Sequence, residues 1–155
     1  MKPLVIFYSR TGTTRKVGTE IANQLKCEYE EIIDLKNRSG SIGWLASGRD
    51  AMKKKLTDIK NYSRNIDSYN IIIIGSPVWA GSVTPAIRTF LEKNKGNIKK
   101  VALFCTMGGD NPSKVFIQME EIINKKPLGK LSLSTKEVND ENHIKKINEF
   151  IKKLR

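Results

Sequence analysis

The sequence contains little cysteine and histidine, and it has no long apolar run. Its 155 residues include two cysteines, Cys27 and Cys105, both within predicted strands, and a single histidine. Two thiols argue against a disulfide framework and favour a reducing compartment, so we expect a cytoplasmic location. No stretch approaches the ~20 consecutive apolar residues that cross a bilayer, and the first residues lack the apolar core of a secretory signal. The length fits a single domain over residues 1–155.

Acidic side chains are also scarce. The chain has 28 Lys and Arg against 16 Asp and Glu, which gives a formal net charge of +12. Such a charge fits a polyanionic partner, but a composition rich in Lys, Ile and Asn explains it as well. The lysines are scattered rather than gathered in one patch with interleaved aromatic residues, so we expect neither nucleic-acid nor membrane binding. An acidic protein partner fits this charge better than DNA.

Strand-like and helix-like segments alternate along the chain. The predicted strands are Leu4–Tyr8, Glu28–Leu35, Ile71–Gly75, Val101–Thr106 and Leu131–Thr135, and the predicted helices are Thr13–Leu25, Ile42–Ile59, one that begins at Pro85, Pro112–Ile123 and a C-terminal one. The four isoleucines from Ile71 to Ile74 have no polar face, which is typical of a central parallel strand. This alternation predicts an α/β fold, a three-layer, doubly wound, five-stranded parallel sheet with strand order 2-1-3-4-5.

Apolar spacing predicts the buried faces of two helices. In the helix 42–59 the inward residues are Leu45, Met52, Leu56 and Ile59; in the last helix they are Ile144, Ile147, Phe150, Ile151 and Leu154. His143 is then expected at the surface, on the polar side of the last helix. We expect Trp44 to anchor its helix to the core, although the segment 40–48 is also long enough to form a lid or a dimer contact.

Three loops, residues 9–14, 76–82 and 106–111, are expected to converge at one edge of the sheet. In this strand order the ligand site lies beyond the carboxyl ends of the strands, where the winding reverses between strands 1 and 3. The first loop leads into a helix N-terminus, where free N–H groups and the helix dipole favour an anion. It consists of Ser9, Arg10, Thr11, Gly12, Thr13 and Thr14. Its four hydroxyl groups exceed the one that a helix cap requires, so we predict phosphate binding.

The first loop lacks the motifs of other phosphate-binding loops. Neither G-x-x-x-x-G-K-[ST] nor G-x-G-x-x-G is present around Gly12. The spacing of Ser9 and Arg15 mimics the C-x5-R loop of small tyrosine phosphatases, but an unassisted serine does not replace their thiolate. No acidic residue follows strand 1, as a phosphate-receiver domain requires. The loop is therefore expected to hold the phosphate of a permanently bound ligand, with Arg10 and Arg15 either contacting it or solvated.

The other two loops suit a flat ring. The second contributes Pro77, Val78, Trp79, Ala80 and Gly81, and the third contributes Thr106, Met107, Gly108, Gly109 and Asp110. The Trp79 indole either lies against a heterocycle or covers the sheet edge, while Gly108 and Gly109 expose peptide groups to a ring edge. We expect Cys105 to be an inert buried thiol and Asp110 or Asn111 to cap the next helix. A monophosphate site beside a planar-ring site predicts FMN as the cofactor.

The stretches "YSRTGTTRKV" and "GSPVWAGSVTPAIRTFL" closely resemble the flavodoxin family, and "CTMGGD" is similar to its third flavin loop. The family pattern [ST]-x-T-G-x-T falls on Ser9, Thr11, Gly12 and Thr14. The resemblance implies that residues 9–14 hold the FMN phosphate and that residues 77–81 and 106–110 bracket the isoalloxazine, with Trp79 flanking or stacked on the ring. It also implies that the Ala80–Gly81 peptide rearranges to hydrogen-bond N5 of the reduced flavin.

The chain departs from typical members of the family in two features, and three hypotheses for its function follow. The basic charge differs from the acidity of typical carrier flavodoxins, and the third loop has Met107 where those proteins often have an aromatic residue. The resemblance favours a cytoplasmic electron-transfer flavoprotein that acts as a monomer or a homodimer with a redox partner protein, and the basic charge favours an acidic partner. The alternative is an NAD(P)H-dependent FMN quinone oxidoreductase, and a third hypothesis is a binding module that no longer holds flavin. No catalytic side chain and no metal ligand is predicted.

Overall fold

The computed structural model describes residues 1–109 and 111–155, so Asp110 lies outside the described residues. Its centre is a parallel sheet of five strands in the order β2-β1-β3-β5-β6. These strands are β1 Pro3–Phe7, β2 Glu28–Glu31, β3 Ile71–Trp79, β5 Lys100–Met107 and β6 Lys130–Ser134. The predicted strand order is confirmed, with one addition: the two-residue strand β4, Ser82–Val83, pairs antiparallel with the end of β3.

Six helices accompany the sheet in the described residues. They are α1 Thr13–Leu25, α2 Gly40–Met52, α3 Pro85–Asn94, α4 Ser113–Ile123, α5 Thr135–Asn139 and α6 His143–Lys152, with a single 3₁₀ turn at Ile66–Ser68. Within this described part of the chain, none of the helices is both long enough and apolar enough to cross a membrane.

The two faces of the sheet build two separate cores, because neighbouring strand residues point to opposite sides. Ile72 and Ile74 belong to the core that packs against α3 and α4. Ile71 and Ile73 belong to the core that packs against α1 and α6. Each of these isoleucines is at most 1% exposed, and burying such a side chain stabilises the fold by about 1.5–3 kcal/mol. The apolar run of β3 therefore contributes to both layers of helices.

The second helix differs from its prediction in both length and orientation. α2 ends at Met52 instead of Ile59, and Leu45, Met52 and Leu56, predicted to face inward, are each more than half exposed. The buried residues of α2 are Ser47, Asp50 and Ala51. The prediction that Trp44 anchors its helix to the core is also wrong, because this side chain is 63% exposed.

Small residues and ion pairs decide the buried face of α2. A Cβ atom built on Gly43 would lie 2.4 Å from the carbonyl carbon of Arg38, so the close approach of helix and backbone requires glycine. Oδ2 of Asp50 lies 2.6 Å from Nζ of Lys36 and 3.1 Å from Nη1 of Arg38. Because a buried guanidinium needs a carboxylate partner, Asp50 turns inward and the apolar side chains of α2 turn outward.

The last helix corrects two further predictions. His143 is 2% exposed and not at the surface, whereas Ile144 is 38% exposed. His143 lies four residues before Ile147 and seven before Phe150, so it shares their face of α6 and turns into the core with them. Leu154, Phe150 and Ile147 are buried as predicted.

The second strand is shorter than predicted. β2 ends at Glu31 instead of Leu35, and Asp34 forms an isolated antiparallel bridge with Ile59. The chain therefore leaves the parallel sheet and turns toward the segment after α2. Cys27 precedes β2 and lies outside any strand, contrary to its prediction, whereas Cys105 lies in β5 as predicted.

The Phe104 ring of β5 packs directly over Gly75 of β3, and replacement of this glycine tests the packing. A Cβ atom at residue 75 would lie 2.0 Å from the Phe104 ring. We expect Gly75→Ala to lower the free energy of unfolding by about 3 kcal/mol, because overpacking displaces a buried ring. Urea unfolding measures this change. Gly96→Ala is the control, since a Cβ there meets no atom within 4 Å; an equal loss in both variants contradicts the packing argument.

Candidate functional site

The three predicted loops meet at the carboxyl edge of the sheet and enclose a cavity of about 160 Å³. From the predicted site residues, its lining includes Arg10, Thr11, Thr13, Thr14, Pro77, Val78, Trp79, Thr106, Met107 and Gly108. Two further residues line it: Thr135, which the sequence reasoning did not place at the site, and Trp44, whose segment had the alternative expectation of a lid or a dimer contact. The structure thus brings most of the predicted site residues together, whereas Ser9, Gly12, Ala80, Gly81 and Gly109 lie outside the lining of this cavity.

The first loop leaves the N-terminus of α1 without a side-chain cap. Oγ of Ser9 accepts a hydrogen bond from the backbone N–H of Gly12 at 3.1 Å, and Gly12 has a φ of +101°, which favours glycine. Among the described residues, no side chain caps the helix and no acidic residue lies in its first turn. An uncapped helix N-terminus presents N–H groups and a positive dipole end to an anion. The capping interpretation of this loop therefore loses its support.

Two threonines join the first loop to the third. Thr14 Oγ1 lies 2.7 Å from Thr106 Oγ1, and both side chains are buried. In addition, the Thr135 hydroxyl donates to the carbonyl oxygen of Met107 at 3.3 Å. Thr14 and Thr106, predicted to bind the cofactor, therefore also hold two walls of the cavity together.

The two arginines of the first loop have different environments. Arg15 forms a bidentate ion pair with Glu31 of β2, with both N–O distances at 2.8 Å. Arg10 donates from Nε to the carbonyl oxygen of Arg38 at 3.0 Å and from Nη2 to that of Gly40 at 3.3 Å. Arg10 lines the cavity while it holds the start of α2, whereas Arg15 is turned to the sheet edge. Neither is merely solvated.

The second loop is mostly a tight hairpin. β3 extends to Trp79, so only Ala80 and Gly81 connect it to β4. Their φ values are +48° and +73°, the pattern of a type I′ turn. A left-handed conformation costs an ordinary residue such as Ala80 about 1–2 kcal/mol. Gln118 of α4 stabilises the hairpin: its Oε1 accepts from the N–H of Val83 at 3.0 Å.

Trp79 is held between an aromatic ring and a guanidinium group. The Tyr8 ring packs edge-on against the indole at a centroid distance of 5.5 Å. The Arg38 guanidinium carbon lies 5.5 Å from the centre of the indole on a cation–π contact. Burial, assisted by the nearby carboxylate of Asp34, raises the pKa of Tyr8 to about 12, so its hydroxyl stays neutral. Trp79 therefore presents a fixed ring to the cavity.

Arg38 is the centre of a buried ion network that the sequence reasoning missed. Its Nε lies 2.6 Å from Oδ2 of Asp34, and its Nη1 lies 3.1 Å from Oδ2 of Asp50. Burial alone would raise the pKa of Asp50, but hydrogen bonds from Lys36 and Arg38 outweigh burial and lower it. The spacing of Asp34 and Arg38 was the available signal, since the two residues lie four positions apart.

A second cleft, of about 610 Å³, lies between α2 and the hairpin. Its apolar walls are Trp44, Leu45 and Met52 on one side and Val78 and Trp79 on the other. Arg10, Trp44, Val78, Trp79 and Gly108 line both this cleft and the smaller cavity, so the two spaces adjoin. The space available for a ligand is thus larger than the three loops alone provide, because α2 supplies a fourth wall.

The backbone of the third loop is sterically accessible at its two glycines. A Cβ atom on Gly108 or Gly109 would meet nothing within 4 Å. Asp110 was predicted as a site residue and helix cap, and this residue lies outside the described part of the chain. Asn111, the other predicted cap, accepts a hydrogen bond from the N–H of Ser113 at 2.9 Å, but the capping position of α4 is Pro112 and, among the described residues, no side chain caps this helix.

Neither cysteine is poised for chemistry. Burial raises the pKa of Cys105 to about 12, and burial, with a smaller effect of Glu28, raises that of Cys27 to about 11. Both thiols are therefore protonated near neutral pH, as expected for Cys105. In the part of the chain that the structure describes, no group of three His, Cys, Asp or Glu side chains is arranged to hold a metal ion.

A family model described as Flavodoxin matches residues 2–153. The chain belongs to the flavodoxin family. No curated protein matches it, but solved structures do. A flavoprotein from Lactobacillus acidophilus NCFM, solved in complex with FMN, is 24% identical with a TM-score of 0.75, covering 95% of this chain and 98% of its own.

Two flavodoxins share the fold more distantly. Flavodoxin 2 from Bacillus cereus, solved in its oxidised form, is 20% identical with a TM-score of 0.60, over 99% of this chain and 97% of its own. The Fusobacterium nucleatum flavodoxin bound to flavin mononucleotide is 19% identical with a TM-score of 0.58, also over 99% and 97%. At these identities the structural matches establish the fold, and the family model establishes the family.

The lowered pKa of Asp50 predicts a pH-dependent contribution to stability. A carboxyl group with a depressed folded-state pKa stabilises the fold above its unfolded pKa of about 4, and this contribution disappears as the pH falls through the folded value. We expect Asp50→Asn to cost about 3 kcal/mol near neutral pH and progressively less below about pH 4. Urea unfolding across this pH range measures the difference from wild type. Exposed Asp58→Asn is the control, and a pH-independent Asp50→Asn difference contradicts the ion-pair account.

Proposed function

We propose that this chain binds FMN at the carboxyl edge of its sheet and carries electrons between other redox proteins. The observation that carries the proposal is the uncapped N-terminus of α1, which opens beside the same cavity as Trp79 and Gly108. An anion-binding helix end next to a flat aromatic wall suits a ligand with a phosphate at one end and a planar ring at the other. Family membership and the neighbours solved with FMN support this assignment.

The residues of the site fit FMN by their chemistry. The backbone and hydroxyl groups of residues 9–14 would hold the phosphate, and Arg10 adds a positive charge beside them. Trp79, Val78 and the open peptides at Gly108 and Gly109 would bind the ring system, and α2 would close one side of it. Bound FMN supplies the redox chemistry itself, as cofactors do.

The described side chains around the small cavity support a carrier rather than an acid–base enzyme. Its lining contains one ionisable side chain, Arg10, and no described Asp, Glu, His, Lys or Cys. The protonated thiols of Cys27 and Cys105 do not take part in exchange chemistry at neutral pH. The protein's contribution is therefore to bind, orient and shield the cofactor.

A charge placed at Thr13 tests the phosphate assignment. Thr13 is the first residue of α1, so an aspartate there interacts favourably with the helix dipole while it repels a bound phosphate. We expect Thr13→Asp to weaken FMN binding about 10- to 100-fold, and the FMN-free variant to be at least as stable as wild type. Quenching of FMN fluorescence and thermal unfolding provide the two measurements.

Thr13→Asn is the matched control for that variant. It has the same shape without the charge, so we expect FMN binding to stay within about threefold of wild type. Wild-type FMN affinity in Thr13→Asp would remove the phosphate from this loop. A wild-type protein that stays colourless and does not quench added FMN would overturn the proposal as a whole.

A second candidate function is NAD(P)H-dependent reduction of a quinone, and the 610 Å³ apolar cleft favours it because a small planar acceptor fits such a space. Stopped-flow mixing of the FMN-loaded protein with NADPH or NADH and a naphthoquinone separates the two functions. For a carrier we expect nicotinamide oxidation no faster than with free FMN at the same concentration. Turnover well above that rate would replace the carrier by the enzyme.

A further inference from the structure

α2 turns a stripe of large apolar side chains to the surface. Ile42, Leu45 and Met52 follow the spacing of one helix face, and each is more than half exposed. Arg49 falls on the same face, seven residues after Ile42 and three before Met52, and is also exposed. We call these four residues the α2 face. Contiguous exposed apolar side chains of this kind mark interaction sites.

The surroundings of the α2 face are basic. Lys53, Lys54 and Lys55 follow the helix directly and are exposed. The only acidic residue between positions 40 and 57 is Asp50, and its carboxylate is buried against Lys36 and Arg38, with Lys55 Nζ 3.7 Å away. The whole segment therefore offers cations and apolar groups to a partner, with no exposed carboxylate among them.

The α2 face borders the candidate FMN site. Leu45 and Met52 line the cleft that Trp79 and Ala80 line from the other side. Lys54 lies with Gly81 and Lys114 around a shallow depression next to the hairpin turn, where Glu121 is the accompanying acidic residue. A partner seated on the α2 face consequently reaches the mouth of the cleft.

We propose that the α2 face is the docking surface for an acidic redox protein. This inference rests on the proposed function. The partner's carboxylates pair with Arg49 and with Lys53–Lys55, and an apolar side chain of the partner packs against Leu45 and Met52 at the mouth of the cleft. Charge complementarity orients the partner on the α2 face, and the apolar contact with Leu45 and Met52 makes the docking specific.

The same observations disfavour two other occupants. A second copy of this chain in a twofold dimer would bring the same patch against itself, so that Arg49 and the three lysines would oppose their own copies. A bilayer would have to bury Arg49, which lies within the apolar stripe rather than on its polar flank. In addition, Leu45, Arg49 and Met52 line the concave cleft, whose mouth receives a protruding side chain better than a flat lipid surface does.

The experiment uses the FMN-loaded, ¹⁵N-labelled chain and an acidic plant-type [2Fe–2S] ferredoxin as the probe. We expect saturable amide shifts centred on residues 42–56, and an affinity that falls steeply with added salt. Arg49→Glu is expected to weaken binding about tenfold or more. FMN binding is measured separately by fluorescence quenching, so a chain that binds FMN but not ferredoxin refutes the docking surface alone.

Lys153→Glu is the matched control, because it changes the net charge by the same amount beside the edge strand β6, whereas α2 contacts β3 and β4. Lys153 is exposed and follows α6, whose end packs over Gly129 just before β6. We expect a change in affinity of less than about twofold. Equal weakening in both variants indicates non-specific steering by net charge and overturns the proposal. Two other results would also overturn the proposal. One is concentration-dependent dimerisation of the wild-type chain that is lost in Arg49→Glu, and the other is binding to vesicles of anionic lipid that depends on Arg49.

Discussion

The pairing of the buried Arg38 guanidinium with Asp34 and Asp50 is the constraint on which the shape of the site depends. A buried cation is tolerated only where carboxylates meet it, so Asp50 has to lie on the inner face of α2. The opposite face of the helix, with Leu45 and Met52, is then forced outward. The same guanidinium also packs against Trp79, so one side chain positions both walls of the larger cleft.

The sheet and the open helix N-terminus after β1 follow from local sequence, whereas the facing of α2 does not. Ile71–Ile74 has no polar face in any register, and the residues 9–14 combine glycine with hydroxyl groups at a strand end, so local chemistry determines both. The facing of α2 instead depends on Arg38, whose role arises only when Asp34 and Asp50, from the two segments that flank it, fold against its guanidinium. Apolar periodicity alone therefore selected Leu45 and Met52 for the wrong side.

His143 is a second residue whose burial was predicted wrongly, but here a polar residue expected at the surface is buried. A histidine is expected to be at the surface on polarity alone, yet the spacing of Ile147 and Phe150 carries residue 143 inward with them. Where a strong apolar stripe and a single polar residue conflict, the stripe prevails because it contributes several buried side chains. At α2 the charges prevailed, since an unpaired buried ion costs more than exposing two apolar side chains.

A missing side-chain cap does not by itself distinguish α1, because α2, α3, α4 and α6 also lack one among the described residues; what distinguishes α1 is that its N-terminus opens beside the cavity. The five-residue helix α5 has a complete capping box, in which Ser134 and Glu137 each accept a backbone N–H. The much longer α1 has no side-chain cap among the described residues, although a suitable residue there would stabilise it by about 1 kcal/mol. Ala80 adds backbone strain nearby, and α2 leaves apolar groups uncovered beside it. The open N-terminus of α1, the strained backbone of Ala80 and the uncovered apolar side chains of α2 thus lie together at one edge of the sheet, where a ligand and a partner would satisfy them.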